Sequence, residues 1–233
     1  MNWDLVWTHD NLQRLMVGDA AQGQMGGLLL TVVLSALCIV TGTLLGTAIG
    51  VAAASPFRLL VAVARVYVGL LRNIPLLILV FWAFFVPPYL GIETSKFTAV
   101  AVALTLFTAA YIAEVVRGGI LSVAPGNLQA ARALGLSTRE IWMWVILPQA
   151  FFNMIPALAG RYITVVKNTA LAFLIGLSDL TEIGKEINDR LMTAPIELYL
   201  TLLAIYFVVN RVISAAMRAL EKRDRFNRLF IRL

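Results

Sequence analysis

From Gly26 to Ala54 the chain carries no charged residue, and the same holds from Ile74 to Ile92 and from Phe97 to Ala113. A helix over the first run, rising about 1.5 Å per residue, exceeds the roughly 30 Å hydrocarbon thickness of a bilayer. In lipid every backbone N–H and C=O must be satisfied within the protein, so only helices or closed barrels can span. These runs are continuous rather than alternating, which selects helices. Composition agrees: 60% of the 233 residues are hydrophobic and 14% charged. A soluble domain has about 25% charged residues. The length suits one all-α membrane domain of about five spans.

A fourth apolar segment runs from about Gln149 to Leu177, interrupted by Pro156, Gly160, Arg161 and Lys167, and a fifth from about Ile196 towards Ala216. Residues 1–25 form a polar and aromatic arm. Trp3 and Trp7, with Leu12, Leu15 and Met16, suit a short helix at the membrane interface as well as an irregular arm. Residues 26–217 make up the transmembrane domain, and 218–233 a basic tail. Arg58, Arg65 and Arg72 recur every seven residues on an amphipathic stretch that precedes the second span. Pro75 opens that span, and Pro87, Pro88 and Gly91 are expected to turn the chain at its exit. Gly42, Gly46 and Gly50 make a small-residue face for close helix packing, either within the chain or against another subunit. Lysine and arginine concentrate in the 55–72 and 117–148 connections and in the tail, which places those inside and the N-terminus outside.

The net charge is +6, but the basic residues gather at the ends of apolar runs, a topology signal rather than a nucleic-acid-binding surface. Cys38 is the only cysteine and His9 the only histidine. An intrachain disulfide, a multi-Cys metal site and His-based catalysis are therefore not expected. No basic n-region precedes an apolar stretch, so no cleaved signal peptide is expected.

The long internal connection, 118–148, holds a local design. Gly126 to Leu134 suits a helix, Gly135 stops it, Ser137 with Glu140 makes a capping box, and a second helix is expected to end at Pro148. A helix–Gly–helix hairpin on the cytoplasmic side is a rigid knob on which an external engine can push.

This stretch resembles the EAA loop of the permeases of ATP-binding-cassette importers: Glu-Ala-Ala, three residues, Gly, nine residues, Ile, one residue, Leu-Pro. Gln129, Ala130, Ala131, Gly135, Val145, Leu147 and Pro148 occupy those positions, with Gln129 replacing the Glu and Val145 the Ile. Arg72-Asn73-Ile74-Pro75-Leu76-Leu77, Tyr111-Ile112-Ala113-Glu114-Val115-Val116-Arg117-Gly118-Gly119 and Lys167-Asn168-Thr169-Ala170-Leu171 resemble segments of the polar amino-acid subgroup. Asn168 stands where that subgroup carries Asp. The resemblance implies the type I importer permease fold in a bacterial inner membrane, with Gln129, Ala130, Ala131, Gly135, Leu147 and Pro148 coupling to ATPase subunits. It also implies partners: two ATP-binding-cassette subunits, a paralogous permease or second copy of this chain, and a periplasmic amino-acid-binding protein, all assembled on the lipid bilayer.

The chain lacks a Gly-x4-Gly-Lys-Ser/Thr phosphate loop, so ATP and Mg are expected on the ATPase subunits, and no cofactor or catalysis on this one. Charges inside apolar segments are costly and tend to line cavities or pair. Arg72 could clamp a carboxylate or snorkel to lipid phosphate. Glu114 and Arg117 suit a local pair. Lys167, Asn168 and Thr169 follow an expected helix interruption at Pro156 and Gly160 and are candidate solute contacts beside Arg72. Asp179 and Glu182 are expected as outer-loop charges. With Asn168 in place of an anion, acidic or amide amino acids fit better than cationic ones. An importer of another solute, such as an opine or organic acid, a secondary transporter and a membrane scaffold are the competing readings. The hairpin argues against the secondary transporter, and the polar groups in the fourth segment against the scaffold.

Overall fold

A computed structural model describes the backbone of residues 2–19 and 23–231, with side chains as far as Ala219. The tail cations Lys222, Arg223, Arg225, Arg228 and Arg232 lie outside the described side chains. The described residues are helical throughout their regular structure. The order is α1 (Trp3–Val6), α2 (His9–Val17), α3 (Gly27–Ala53), α4 (Arg58–Asn73), α5 (Leu76–Tyr89), α6 (Lys96–Leu121), α7 (Pro125–Ala133) and α8 (Thr138–Glu140). A π-helical turn at Ile141–Ile146 then leads into α9 (Leu147–Thr169), a 3-10 segment at Ala170–Ile175, α10 (Leu180–Leu191) and α11 (Pro195–Ile231).

Among the described residues, four helical stretches are long and apolar enough to cross a membrane: Gly27–Ala53, Lys96–Leu121, Thr138–Ile175 and Pro195–Ala219. A fifth span exists only if α4 and α5 are taken as one broken element, bent by 100° at Ile74-Pro75. This corrects the expected free-standing second span. α5 has 14 residues, or about 21 Å, too short to cross alone. Pro75 caps it, because it cannot donate the N–H that would continue α4. Pro87 and Pro88 are the last turn of α5 rather than the exit turn, and their carbonyls accept the N–H groups of Leu90, Gly91 and Ile92.

The fourth segment also departs from expectation. Pro148 does not end a helix, and Pro156 and Gly160 do not interrupt one. The chain is helical from Thr138 to Ile175. The π-helical turn explains the first point: the N–H of Leu147 reaches back five residues to the carbonyl of Trp142. That register relieves the clash a proline ring makes with the carbonyl four residues before it. The change in helix type comes later, at Ala170, and Gly176 ends the 3-10 segment at φ 67°.

The chain divides into two compact units: residues 1–40, 74–105 and 163–212, and residues 41–73, 106–162 and 213–233. In the first unit the N-terminal arm docks on protein. Val6 and Leu15 are fully buried in a cluster with Leu180, Ile183, Ile187, Leu198 and Leu202. Trp7 donates through Nε1 to Thr201, Arg14 pairs with Asp19 and Glu186, and Arg190 donates to Asn11 and pairs with Asp10. The expected polar outer loop is therefore the amphipathic α10, with the arm folded onto it. In the second unit, Gly46 and Gly50 settle their open alternative as packing within the chain. A Cβ at Gly46 would lie 2.7 Å from the Ala109 carbonyl oxygen, and one at Gly50 2.6 Å from that of Ala113. Backbone contact this close between α3 and α6 admits no side chain.

Asp179 overturns its expected place as an outer-loop charge. It is fully buried, and its Oδ1 caps α10 by accepting from the Glu182 N–H at 2.9 Å. Burial pushes its carboxyl up to about 7, against the pull of backbone N–H groups from Glu182 and Thr181. Glu182 is shifted upward too, chiefly by burial. The stability consequence has a definite sign. Below about pH 4 the folded and unfolded forms both hold the Asp179 proton. As pH rises from there through about 7, the unfolded carboxyl ionises while the folded one stays protonated. Stability therefore falls across that window and levels off above it. Asp179→Asn keeps a capping acceptor and cannot ionise. It is expected to flatten most of that slope, leaving the part due to Glu182, and to raise Tm by a few degrees at about pH 8. Thermal unfolding of both proteins between about pH 5 and pH 8 checks this; an unchanged slope in the variant rejects it.

Candidate functional site

The polar groups carried into the apolar helices collect in three places. The first lies in the second unit, where α4, α6 and α9 bring Arg72, Tyr111 and Arg161 together. The Arg161 guanidinium carbon stands 4.4 Å from the centroid of the Tyr111 ring and that of Arg72 5.3 Å from it. Phe107, one helical turn earlier, packs its ring at 4.9 Å from Tyr111. Glu114 and Arg117 follow on the same face of α6, and both oxygens of Glu114 accept from Arg117. This bears out the local pair. A cavity of about 390 Å³ is lined by Ala53, Ala64, Arg65, Val68, Gly69, Glu114 and Arg117. Tyr67 donates from its hydroxyl to the Leu106 carbonyl at 2.9 Å, and Thr43 to the Tyr162 hydroxyl at 3.2 Å.

The second place lies in the first unit, at the end of α9. Lys167 is exposed and Asn168 half-buried. A cavity of about 430 Å³ is lined by Lys167, Ala170, Leu203, Tyr206, Phe207 and Asn210. Thr169, expected as a solute contact, is fully buried, and its hydroxyl donates to the Val166 carbonyl at 2.8 Å. That back-bond uses the hydroxyl within the last turn of α9, so Thr169 shapes the helix end instead. Lys96 caps the carbonyl of Gly176 from the neighbouring segment at 2.8 Å. Of the expected solute contacts, then, Lys167 lines this cavity, Asn168 shares its unit without lining it, and Arg72 belongs to the other unit.

The third place is the hairpin. α7 carries Gln129, Ala130 and Ala131. The first two are exposed, and Ala131 is buried against Ile112, Val116, Ile120, Ile141, Ile146 and Ala150. Gly135 sits at φ 76° with nothing near its missing side chain, so the turn needs its backbone freedom, not its small size. The Leu136 N–H returns to the Ala131 carbonyl at 3.2 Å, closing the helix end. The Ser137–Glu140 capping box is present, with the Ser137 N–H donating to Glu140 at 2.8 Å. Leu147 and Pro148 follow the π-helical turn, both exposed. Leu134 and Trp144 stand 80% and 79% exposed on the same hairpin. Two large apolar side chains are thus left uncovered on the hairpin.

Sequence reasoning singled out Arg72 and Arg161 as charges in apolar runs, but it missed Tyr111 as their meeting point. A tyrosine in a span carries no signal of its own. Tyr206 and Asn210 were missed for the same reason.

The model of the family "Binding-protein-dependent transport system inner membrane component" matches residues 42–225. The chain is 33% identical over 200 residues to the "Probable glutamine ABC transporter permease protein GlnP" of Bacillus subtilis (strain 168), covering 85% of this chain and 92% of that one. It is 33% identical over 199 residues to the glutamine transport system permease protein GlnP of Escherichia coli (strain K12), covering 84% and 90%. Among solved structures, the "Crystal structure of an amino acid ABC transporter with histidines" superimposes with a TM-score of 0.79 at 34% identity, covering 84% of this chain and 92% of that one.

The Glu114–Arg117 pair is half-buried, at 36% and 35% side-chain exposure. Removing one partner leaves the other without its counter-charge. Glu114→Ala is expected to lower Tm by several degrees, and the double variant with Arg117→Ala to regain about half of that loss. Thermal unfolding of the two single variants and the double variant measures the coupling; additive losses would show that the pair contributes nothing.

Proposed function

The chain belongs to the binding-protein-dependent transport system inner membrane components, and from that premise we propose that it forms the translocation path of an ATP-driven importer for polar amino acids. The observation that carries this reading is the α7–Gly135–α8 hairpin. It is a rigid element with its own core, presenting exposed Leu134 and Trp144 and the loop residues Gln129, Ala130, Gly135, Leu147 and Pro148. An element of this kind transmits a push without deforming. The engine is a pair of ATP-binding-cassette subunits, which hold the ATP and Mg. A paralogous permease or a second copy of this chain completes the path, and a periplasmic amino-acid-binding protein delivers the solute. Transport is then a shift between inward- and outward-open states, each favoured by a different set of bound partners.

Arg72, Lys167 and Asn168 are the solute contacts of this reading. Lys167 and Arg72 offer positive charge to a carboxylate. Asn168 offers an amide rather than an anion, which favours acidic or amide amino acids over arginine or histidine. The N-terminus lies outside and the hairpin and C-terminus lie in the cytoplasm, following the arginine distribution.

Two experiments test this. Gly135→Val forces a β-branched residue into a left-handed conformation, whereas Gly135→Asn tolerates it. The Val variant is expected to insert normally yet lose most ATP-driven uptake, with the Asn variant retaining most of it; equal uptake by both, at equal expression, rejects the hairpin as the coupling element. For topology, Met25→Cys and Leu134→Cys, each with Cys38 replaced, place thiols at positions 58% and 80% exposed. An impermeant thiol reagent added from outside is expected to label the first and spare the second; the reverse pattern rejects the orientation.

A further inference from the structure

We propose that Arg72, Tyr111 and Arg161 form an anion receptor within the spans, built for a solute that carries two carboxylates. The inference rests on the importer reading and sharpens its substrate class from polar amino acids to acidic ones.

The geometry starts from an unusual arrangement: two guanidinium groups on a single aromatic ring, with centroid distances of 4.4 and 5.3 Å. Like charges this close repel, and the ring's quadrupole offsets only part of that repulsion. Among the described residues, neither arginine forms an ion pair with a carboxylate. The acidic group nearest along α6, Glu114, gives both oxygens to Arg117. Two positive charges are therefore held on one ring with no carboxylate in ion-pair contact among the described residues, and Glu114, which also attracts Arg72, is already engaged by Arg117.

Tyr111 lies 15 residues into α6 from Lys96, about 22 Å along the helix, and about 15 Å before its end at Leu121. Arg161 lies about 21 Å from the start of α9 at Leu147. Arg161 stands midway along the apolar fourth segment, Tyr111 two residues before the charge-free run of α6 ends at Ala113, and Arg72 is exposed near the end of α4. The occupant argued for is a small anionic solute rather than a lipid phosphate, and the test below separates the two.

A cavity is present in the same unit, lined by neighbours of these residues along α4 and α6 rather than by the three themselves. Val68 and Gly69, one turn before Arg72 on α4, and Glu114, one turn after Tyr111 on α6, line the space of about 390 Å³. That volume suits a small solute. A guanidinium lying over a ring uses its face for the ring and keeps its in-plane N–H donors for a bidentate carboxylate. Glutamate and aspartate bring two carboxylates for two arginines. Glutamine and asparagine, nearly the same shapes, bring one. Lysine and arginine add a positive charge and are excluded. Tyr111 is a positioning residue here, since it sets the spacing of the two guanidinium groups.

The test uses the permease assembled with its ATPase subunits in lipid nanodiscs, with radiolabelled L-glutamate and L-glutamine as probes. The wild-type complex is expected to bind glutamate at least about tenfold more tightly than glutamine. Arg161→Gln and Arg72→Gln should each bring that ratio close to one. Arg161→Lys, which keeps the charge without the fork, should retain part of it and stands in if the glutamine variants fail to assemble. Tyr111→Phe should keep the preference and Tyr111→Leu lose it. A ratio near one in the wild type, or a ratio untouched by Arg161→Gln, overturns the receptor. So does an anionic lipid that co-purifies with the wild type, is lost in Arg161→Gln, and is displaced by neither probe. The importer reading fails separately: it falls if the wild-type system, with its binding protein in proteoliposomes, shows no ATP-driven uptake of any amino acid.

Discussion

A bilayer offers a backbone N–H no water to bond to, and every feature of this chain follows from how that debt is met. Helices meet it residue by residue along the spans. Where the ladder cannot be regular, another group supplies the partner. Pro148 withholds a donor, and a π-helical turn shifts the register so that Leu147 reaches Trp142. Side-chain donors do the same work elsewhere. The Ser35 hydroxyl donates to the Thr31 carbonyl, and that of Tyr67 to the Leu106 carbonyl. Each is an answer to the high cost of an unpaired polar group away from water.

The same cost governs the charges. Glu114 and Arg117 neutralise each other within one helical turn, and Asp179 is held towards its neutral form by burial. Arg72 and Arg161 are the exception, since the described residues give them an aromatic ring and no carboxylate in ion-pair contact. A transporter needs such an exception. A site whose charges were already matched would gain nothing by binding a charged solute, whereas an unmatched pair gains the whole interaction when the solute arrives.

In the proposed function, coupling depends on a different property, the rigidity of the hairpin. The hairpin keeps its shape because Ala131, Ile141 and Ile146 are buried together with residues of α6 and α9. Gly135 closes the turn and the Ser137–Glu140 box fixes the next helix. Thr138 to Ile175 is one helical run, so the second half of the hairpin and Arg161 lie on continuous helical backbone. The proline that looked like a helix end thus lies inside that run.

The membrane class, the hairpin with its Gly135 turn and capping box, and the Glu114–Arg117 pair were all legible in the chain, because each rests on residues close in sequence. Hydrophobic length, a left-handed glycine and an i,i+3 ion pair are local physics. What the sequence could not decide were outcomes in which distant segments compete for the same space or the same partner. The arm folded onto α10 because Val6 and Leu15 found a buried apolar surface there instead of the bilayer. Gly46 and Gly50 were claimed by α6. Pro156 stayed inside a helix because the surrounding turns and packing outweighed its missing donor. Asp179, polar and beside a loop, was buried by Thr31 and Tyr206 from other helices, and Tyr111 became a meeting point only when α4 and α9 each brought an arginine to it. Local propensity determined which elements form; packing among elements far apart in the chain decided which groups are covered, paired or left free to bind.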